Sequence, residues 1–150
     1  MVEAVFSLRE ANKLVPYLEE CFNEIRDLRH GVRRAGERIS QMTSFWGVQA
    51  LTEGVPDSIE VSELKKGVAS ASSRLQELVL DVHDAGIVIR DLDLGLVDFT
   101  STTKGGERIF LCWCYGEKSI KYWHKADEGN VGKRSVAELQ ATPCRVRRNL

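Results

Sequence analysis

Two spacings divide the chain. Apolar positions step by four and three from Leu14 through Leu18, Cys21, Ile25, Leu28, Val32, Ala35 and Ile39, which is the seam of a coiled-coil-like helix. Val61, Leu64, Val68, Ala71, Leu75, Leu78, Val82 and Ala85 repeat it. Beyond Gly86 the period falls to two. Ile109, Leu111, Trp113 and Tyr115 alternate with Phe110, Cys112 and Cys114, and Ile120, Tyr122 and His124 alternate with Lys121, Trp123 and Lys125. The pattern predicts an α+β fold: a long antiparallel helical hairpin over about 7–85, then a three- or four-stranded antiparallel β-meander over about 86–125.

Local signals set the boundaries. Ser7-Leu8-Arg9-Glu10 has the form of a capping box and starts the first helix. Pro16, about two turns in, predicts a kink or a short helix followed by a long one. Gly31 and Gly36 each weaken the far end by roughly 1 kcal/mol relative to alanine, which predicts fraying or an early stop. Gly47, Gly54 and Pro56 mark 41–57 as a long connection carrying the Phe45-Trp46 pair, and Gly86 is a C-terminal cap for the second helix.

In the sheet, Lys104-Gly105-Gly106-Glu107 and Gly116-Glu117 suit two-residue turns. That register puts Asp98, Trp113 and Ile120 on one face, with Leu111 beside Tyr122 and Ile109 beside His124. Val97, Phe99, Phe110, Cys112, Cys114 and Trp123 fall on the other face. Both faces are then largely apolar, and each needs a cover. Residues 129–134 read as turn chemistry, 135–140 as one helical turn and 141–150 as a mobile tail rich in arginine.

The 150 residues suit a single domain with a core of its own. Charged residues make up 29% of the chain, yet the formal net charge is −1, which gives no electrostatic reason to expect nucleic acid. The first residues lack a basic start followed by an apolar stretch. No run approaches the roughly 20 apolar residues that cross a bilayer, so the expected location is cytoplasmic with no membrane partner. Cys21, Cys112, Cys114 and Cys144 form no CxxC pair, in keeping with a reducing compartment.

GLVDF at 95–99, LCW at 111–113, GE at 116–117, YWH at 122–124 and the earlier S-L-R-E-A-N-x-L-x-P at 7–16 together give the chain a second identity. On these motifs it resembles the uncharacterised prokaryotic domain-of-unknown-function family 2203. The resemblance spans nearly the whole sequence and implies a small protein with a helical hairpin followed by a small sheet. It implies no activity, substrate or cofactor.

Candidate chemistry gathers in the meander. Asp98 sits between Val97 and Phe99, and a buried carboxylate needs an answering group, for which Trp113, His124 and Lys121 are the candidates. Cys112 and Cys114 point to one side of a strand and, with His124, could ligate zinc or iron, although the two-residue-turn register sets His124 on the opposite face. A Cys112–His124 nucleophile oriented by Asp98 meets the same obstacle. Glu117 is the acid expected to be exposed beside the sheet.

Two readings follow. In the first, the protein is a non-catalytic cytoplasmic homo-oligomer without a cofactor. It binds a protein or small-molecule partner through an aromatic face of Trp113, Tyr122 and Trp123 or through its hairpin. In the second, it is a metal-dependent or thiol enzyme centred on Asp98, Cys112, Glu117 and His124.

Overall fold

The computed structural model describes residues 4–47 and 58–140. Two long helices, α1 (Leu8–Trp46) and α2 (Ser58–Asp84), precede a sheet of five antiparallel strands in sequence order. The strands are β1 (Ile87–Asp91), β2 (Leu96–Thr102), β3 (Arg108–Cys114), β4 (Tyr122–Lys125) and β5 (Arg134–Ser135). A short 3-10 helix at Gly129–Gly132 and a one-turn helix α3 (Ala137–Gln140) complete the described chain. The fold is α+β as the spacing predicts, with five strands rather than three or four. The fifth has two residues, too few to show an alternation, and follows a glycine-rich turn.

Ser7 caps α1 by accepting a hydrogen bond from the Glu10 amide at 3.1 Å. Helix α1 neither splits at Pro16 nor stops early at Gly31 and Gly36, because it runs 39 residues through all three. A proline inside a helix forfeits one backbone bond at a cost of about 3 kcal/mol. Here it lies among the buried Ala11, Val15 and Leu18, whose packing offsets that loss. Phe45 belongs to the helix and stands 79% exposed, while Trp46 packs against buried Met42 and Val61. Residues 48–57 and 141–150, which include most of the expected connection and the expected tail, lie outside the described residues. Among the described residues no helix is long and apolar enough to cross a membrane.

The chain divides into two compact units, one made of residues 20–47 and 58–81, the other of residues 4–19 and 82–140. The first is the hairpin. Its antiparallel sense shows in two ion pairs that join early α1 to late α2 and the reverse, Glu24 to Arg74 at 2.6 Å and Arg38 to Glu60 at 2.9 Å. Cys21, Phe22, Ile25 and Leu78 are buried toward one end of the hairpin and Met42 and Val61 toward the other. Between them the seam residues Leu28, Val32, Ala35, Val68, Ala71 and Leu75 are only half-buried.

The second unit is organised by the sheet. Phe6 donates its amide to the Thr100 carbonyl at 2.8 Å and sets its ring edge-on to Phe99 at 5.2 Å. Asn12 of α1 accepts from the Ile120 amide at 2.8 Å. Gly86 closes α2 at φ +84°, and a side chain there would collide with Ala4.

Both connections, 103–107 and 115–121, are longer than two residues, and each shifts the strand register by one residue from that of a two-residue turn. Strand β2 meets β3 through Thr102↔Arg108, so loop 103–107 closes on Thr103. Thr103 donates its amide to Glu107 O at 2.8 Å and accepts from Gly106 N at 2.9 Å. Asp98 therefore lies opposite Cys112, not Trp113. The next pair of strands shifts likewise, with Leu111 opposite Trp123 and Phe110 opposite His124. Since side chains alternate faces, each one-residue shift exchanges the faces of the strand beyond it.

Candidate functional site

The corrected register brings together residues that the shorter turns keep apart. Directly opposed residues share a face. Asp98 on β2, Cys112 and Phe110 on β3, and Tyr122 and His124 on β4 thus lie on one side of the sheet. The other side carries the apolar core of Ile87, Val97, Phe99, Ile109, Leu111 and Trp113, all essentially without exposure.

Asp98 is the hub of a buried polar cluster. Its exposure is 2%, and that of Cys112 and His124 is 3% and 5%. The Cys112 thiol donates to Asp98 Oδ1 at 2.9 Å, and His124 Nε2 lies 3.2 Å from Asp98 Oδ2. Strands β2 and β4 flank β3 and stand roughly 10 Å apart, so these side chains meet over β3, where the small Cys112 leaves room. His124 Nδ1 lies 2.8 Å from the Lys125 carbonyl. A carbonyl only accepts, so Nδ1 carries the hydrogen and Nε2 is the atom aimed at Asp98.

A fourth member comes from β1. Arg90 donates Nε to Asp98 Oδ2 at 2.7 Å and lays its guanidinium over the Phe110 ring at 5.1 Å. It sits where the β1–β2 register slips between Ile89 and Asp91, an irregularity that redirects a side chain. Its signal in the sequence is the single charge ending the run Ile87-Val88-Ile89, but connecting it to Asp98 requires the strand register.

The buried carboxylate is thus answered by Arg90, Cys112 and His124. Of the expected partners only His124 takes the role. Trp113 donates its indole N–H to the Glu117 carbonyl at 2.8 Å, and Lys121 is exposed. Glu117 is a turn residue apart from the cluster: its amide bonds Cys114 O at 3.0 Å and its carboxylate accepts from the Cys114 amide at 3.1 Å. The Cys114 thiol points to the Leu94 carbonyl at 3.6 Å, away from Asp98.

The arrangement suits a thiol, not a thiolate. Burial first, then the hydrogen bond to Asp98, hold Cys112 well above the ordinary thiol range. An activated nucleophile requires the opposite, a depressed value and a base at the sulfur. His124 addresses Asp98 instead. What the three side chains can do is offer sulfur, nitrogen and oxygen donors that all lie within 4.8 Å of one another.

The aromatic partner face is dispersed as well. Trp113 is fully buried, and Trp123 is 6% exposed, with its indole donating to the Ser135 carbonyl at 3.1 Å and Arg134 over its ring. Tyr122, at 43%, is the exposed one and lies on the opposite face of the sheet. An apolar concavity lies in the hairpin. Leu28, Gly31, Val32 and Ala35 of α1 with Leu64, Gly67, Val68 and Ala71 of α2 line a groove of about 420 Å³, rimmed by Glu24, Asp27 and Glu63. A neighbouring groove of about 270 Å³ shares Leu28, Val32 and Ala71 and is rimmed by Arg29 and Arg33.

No curated protein and no solved structure matches the chain. A model of the family described as an uncharacterised conserved protein, DUF2203, matches residues 4–136, which contain α1, α2 and all five strands. The chain belongs to the uncharacterised conserved protein family DUF2203.

Proposed function

We propose that the protein is a non-catalytic cytoplasmic assembly module whose hairpin pairs with that of a second copy. The observation that carries this reading is the half-buried middle of the seam. Two helices can enclose a heptad seam only from the sides that face each other, and an apolar stripe left open in water is completed in a four-helix bundle. Gly31, Ala35, Gly67 and Ala71 leave the groove that knobs of another hairpin fill. Beside it, Ala69, Ser70, Ser72 and Ser73 give α2 a flat, exposed surface for close approach.

Charge supports a self-pairing. One groove has an acidic rim and its neighbour a basic one. A two-fold axis sets each rim against the opposite sign on the partner, as a self-complementary interface requires. Against catalysis stands the cluster itself, whose groups are buried and spent on one another. A cytoplasmic setting accords with Cys112 and Cys114 carrying free thiols. The test is the mass of the untagged protein in solution beside that of Val68→Glu, which puts a charge into the seam. A dimer or higher even assembly that the substitution dissociates is expected, whereas a monomeric parent protein refutes the proposal.

A further inference from the structure

We propose that Asp98, Cys112 and His124 form a binding site for a zinc-class divalent metal ion, with Arg90 as a positioning residue. Three adjacent strands supply a carboxylate oxygen, a sulfur and an imidazole nitrogen, each buried and all within 4.8 Å of one another. This mixed donor set is one that zinc accepts at about 2.0–2.3 Å. Those bond lengths put the donors of a tetrahedral centre about 3.3–3.7 Å apart. His124 Nε2 lies 3.2 Å from Asp98 Oδ2 and the Cys112 sulfur 2.9 Å from Asp98 Oδ1, and no donor is more than 4.8 Å from another, so side-chain shifts on the order of 1 Å reach that spacing.

The surroundings are an independent sign. A metal-binding histidine commonly gives its other ring N–H to a backbone carbonyl, which fixes the tautomer and points the ligating nitrogen inward. His124 does this with Nδ1 and Lys125 O at 2.8 Å. A ligating carboxylate is in turn held by a hydrogen bond, here from Arg90 at 2.7 Å. Phe110 lies against the His124 ring at 5.4 Å and supplies an apolar wall. Cys114 has no part, since its sulfur faces Leu94.

On binding, the ion replaces the hydrogens that now lie between these side chains. The Cys112 S–H proton, and any proton on His124 Nε2, passes to solvent as the S–metal and N–metal bonds form, and no electron is transferred. Three protein ligands leave a fourth position for water. The site lies wholly within the sheet unit, so it stands or falls separately from pairing of the hairpins.

The experiment uses full-length protein stripped with chelator and titrated with cobalt(II) as a spectroscopic stand-in, then with zinc in competition. The expected result is one ion per chain, with the visible bands of tetrahedral cobalt and a thiolate-to-cobalt charge-transfer band. Zinc abolishes both. Cys112→Ser removes the charge-transfer band, Cys114→Ser leaves it intact, and Arg90→Gln weakens zinc binding about tenfold. A folded parent protein that shows no such bands overturns the proposal, as does a charge-transfer band that persists in Cys112→Ser or vanishes in Cys114→Ser. Should Cys112→Ser fail to fold, the parent spectrum and Cys114→Ser decide the matter alone.

Discussion

The two units finish their interiors differently. In the sheet unit Trp113, Phe99, Ile109 and Leu111 reach zero exposure, and the buried carboxylate on the opposite face is answered by three groups. In the hairpin the middle of an equally regular apolar seam stays half-buried around a groove. Helical periodicity places side chains on a common stripe, yet two helices alone supply too few neighbours to enclose it. Five strands backed by the buried start of α1 supply enough. A unit closed in itself suggests a stable scaffold, and one left open suggests a place where another chain is expected.

The contrast is broken most severely at Trp113. Trp113→Ala removes the largest fully buried side chain among the described residues together with its bond to Glu117, and is expected to cost about 3–5 kcal/mol in chemical denaturation. A loss below about 1 kcal/mol shows the sheet side to be as open as the hairpin. Next is Asp98→Ala, expected at about 3 kcal/mol because it strands His124 and takes the partner from Cys112, with Arg90 half exposed and less affected. Stability unchanged in that variant shows the cluster to be incidental.

Thiol labelling sharpens the same contrast. Cys112 is buried and held as a thiol, whereas Cys114 is half-buried, so an alkylating reagent is expected to modify Cys114 at least about tenfold faster. Faster reaction at Cys112 revives the thiol-enzyme reading. The smallest effect belongs to the hairpin surface. The hydrogen bond from Arg74 lowers the Glu24 carboxyl below its ordinary value of 4.5. Because the folded value lies below the unfolded one, the pair's contribution is complete above about pH 4.5 and is lost as the pH falls through the lowered value. Arg74→Ala is therefore expected to destabilise slightly near neutral pH and not at all in strong acid, as measured by paired denaturation curves. Both residues are exposed, which keeps this effect small.

What the sequence made legible follows from which signals are local. The two helices, the Ser7 cap, the Gly86 stop and the first three strands rest on spacing and on single-residue conformational rules and are close to where the pattern put them, while the fourth starts only at Tyr122. Pro16 does not split α1, because a local penalty of a few kcal/mol yields to burial of Ala11, Val15 and Leu18 around it, and the two helix glycines do not end the helix early. The site was half legible. Asp98 as a buried carboxylate and His124 as its partner come from the residues alone, but the face of each strand depends on turn length. Thr103 lengthens the first turn with its own backbone and side-chain bonds, and that one-residue shift puts Cys112 rather than Trp113 opposite Asp98, while the second shift keeps His124 on the same face.

Native mass spectrometry of the untagged protein beside Val68→Glu tests pairing of the hairpins most directly. An even-numbered assembly is predicted for the parent and a folded monomer for the variant, since the sheet unit is closed without the hairpin's partner. A parent chain that remains monomeric at micromolar concentration, or a variant that keeps its assembly, contradicts pairing through the seam.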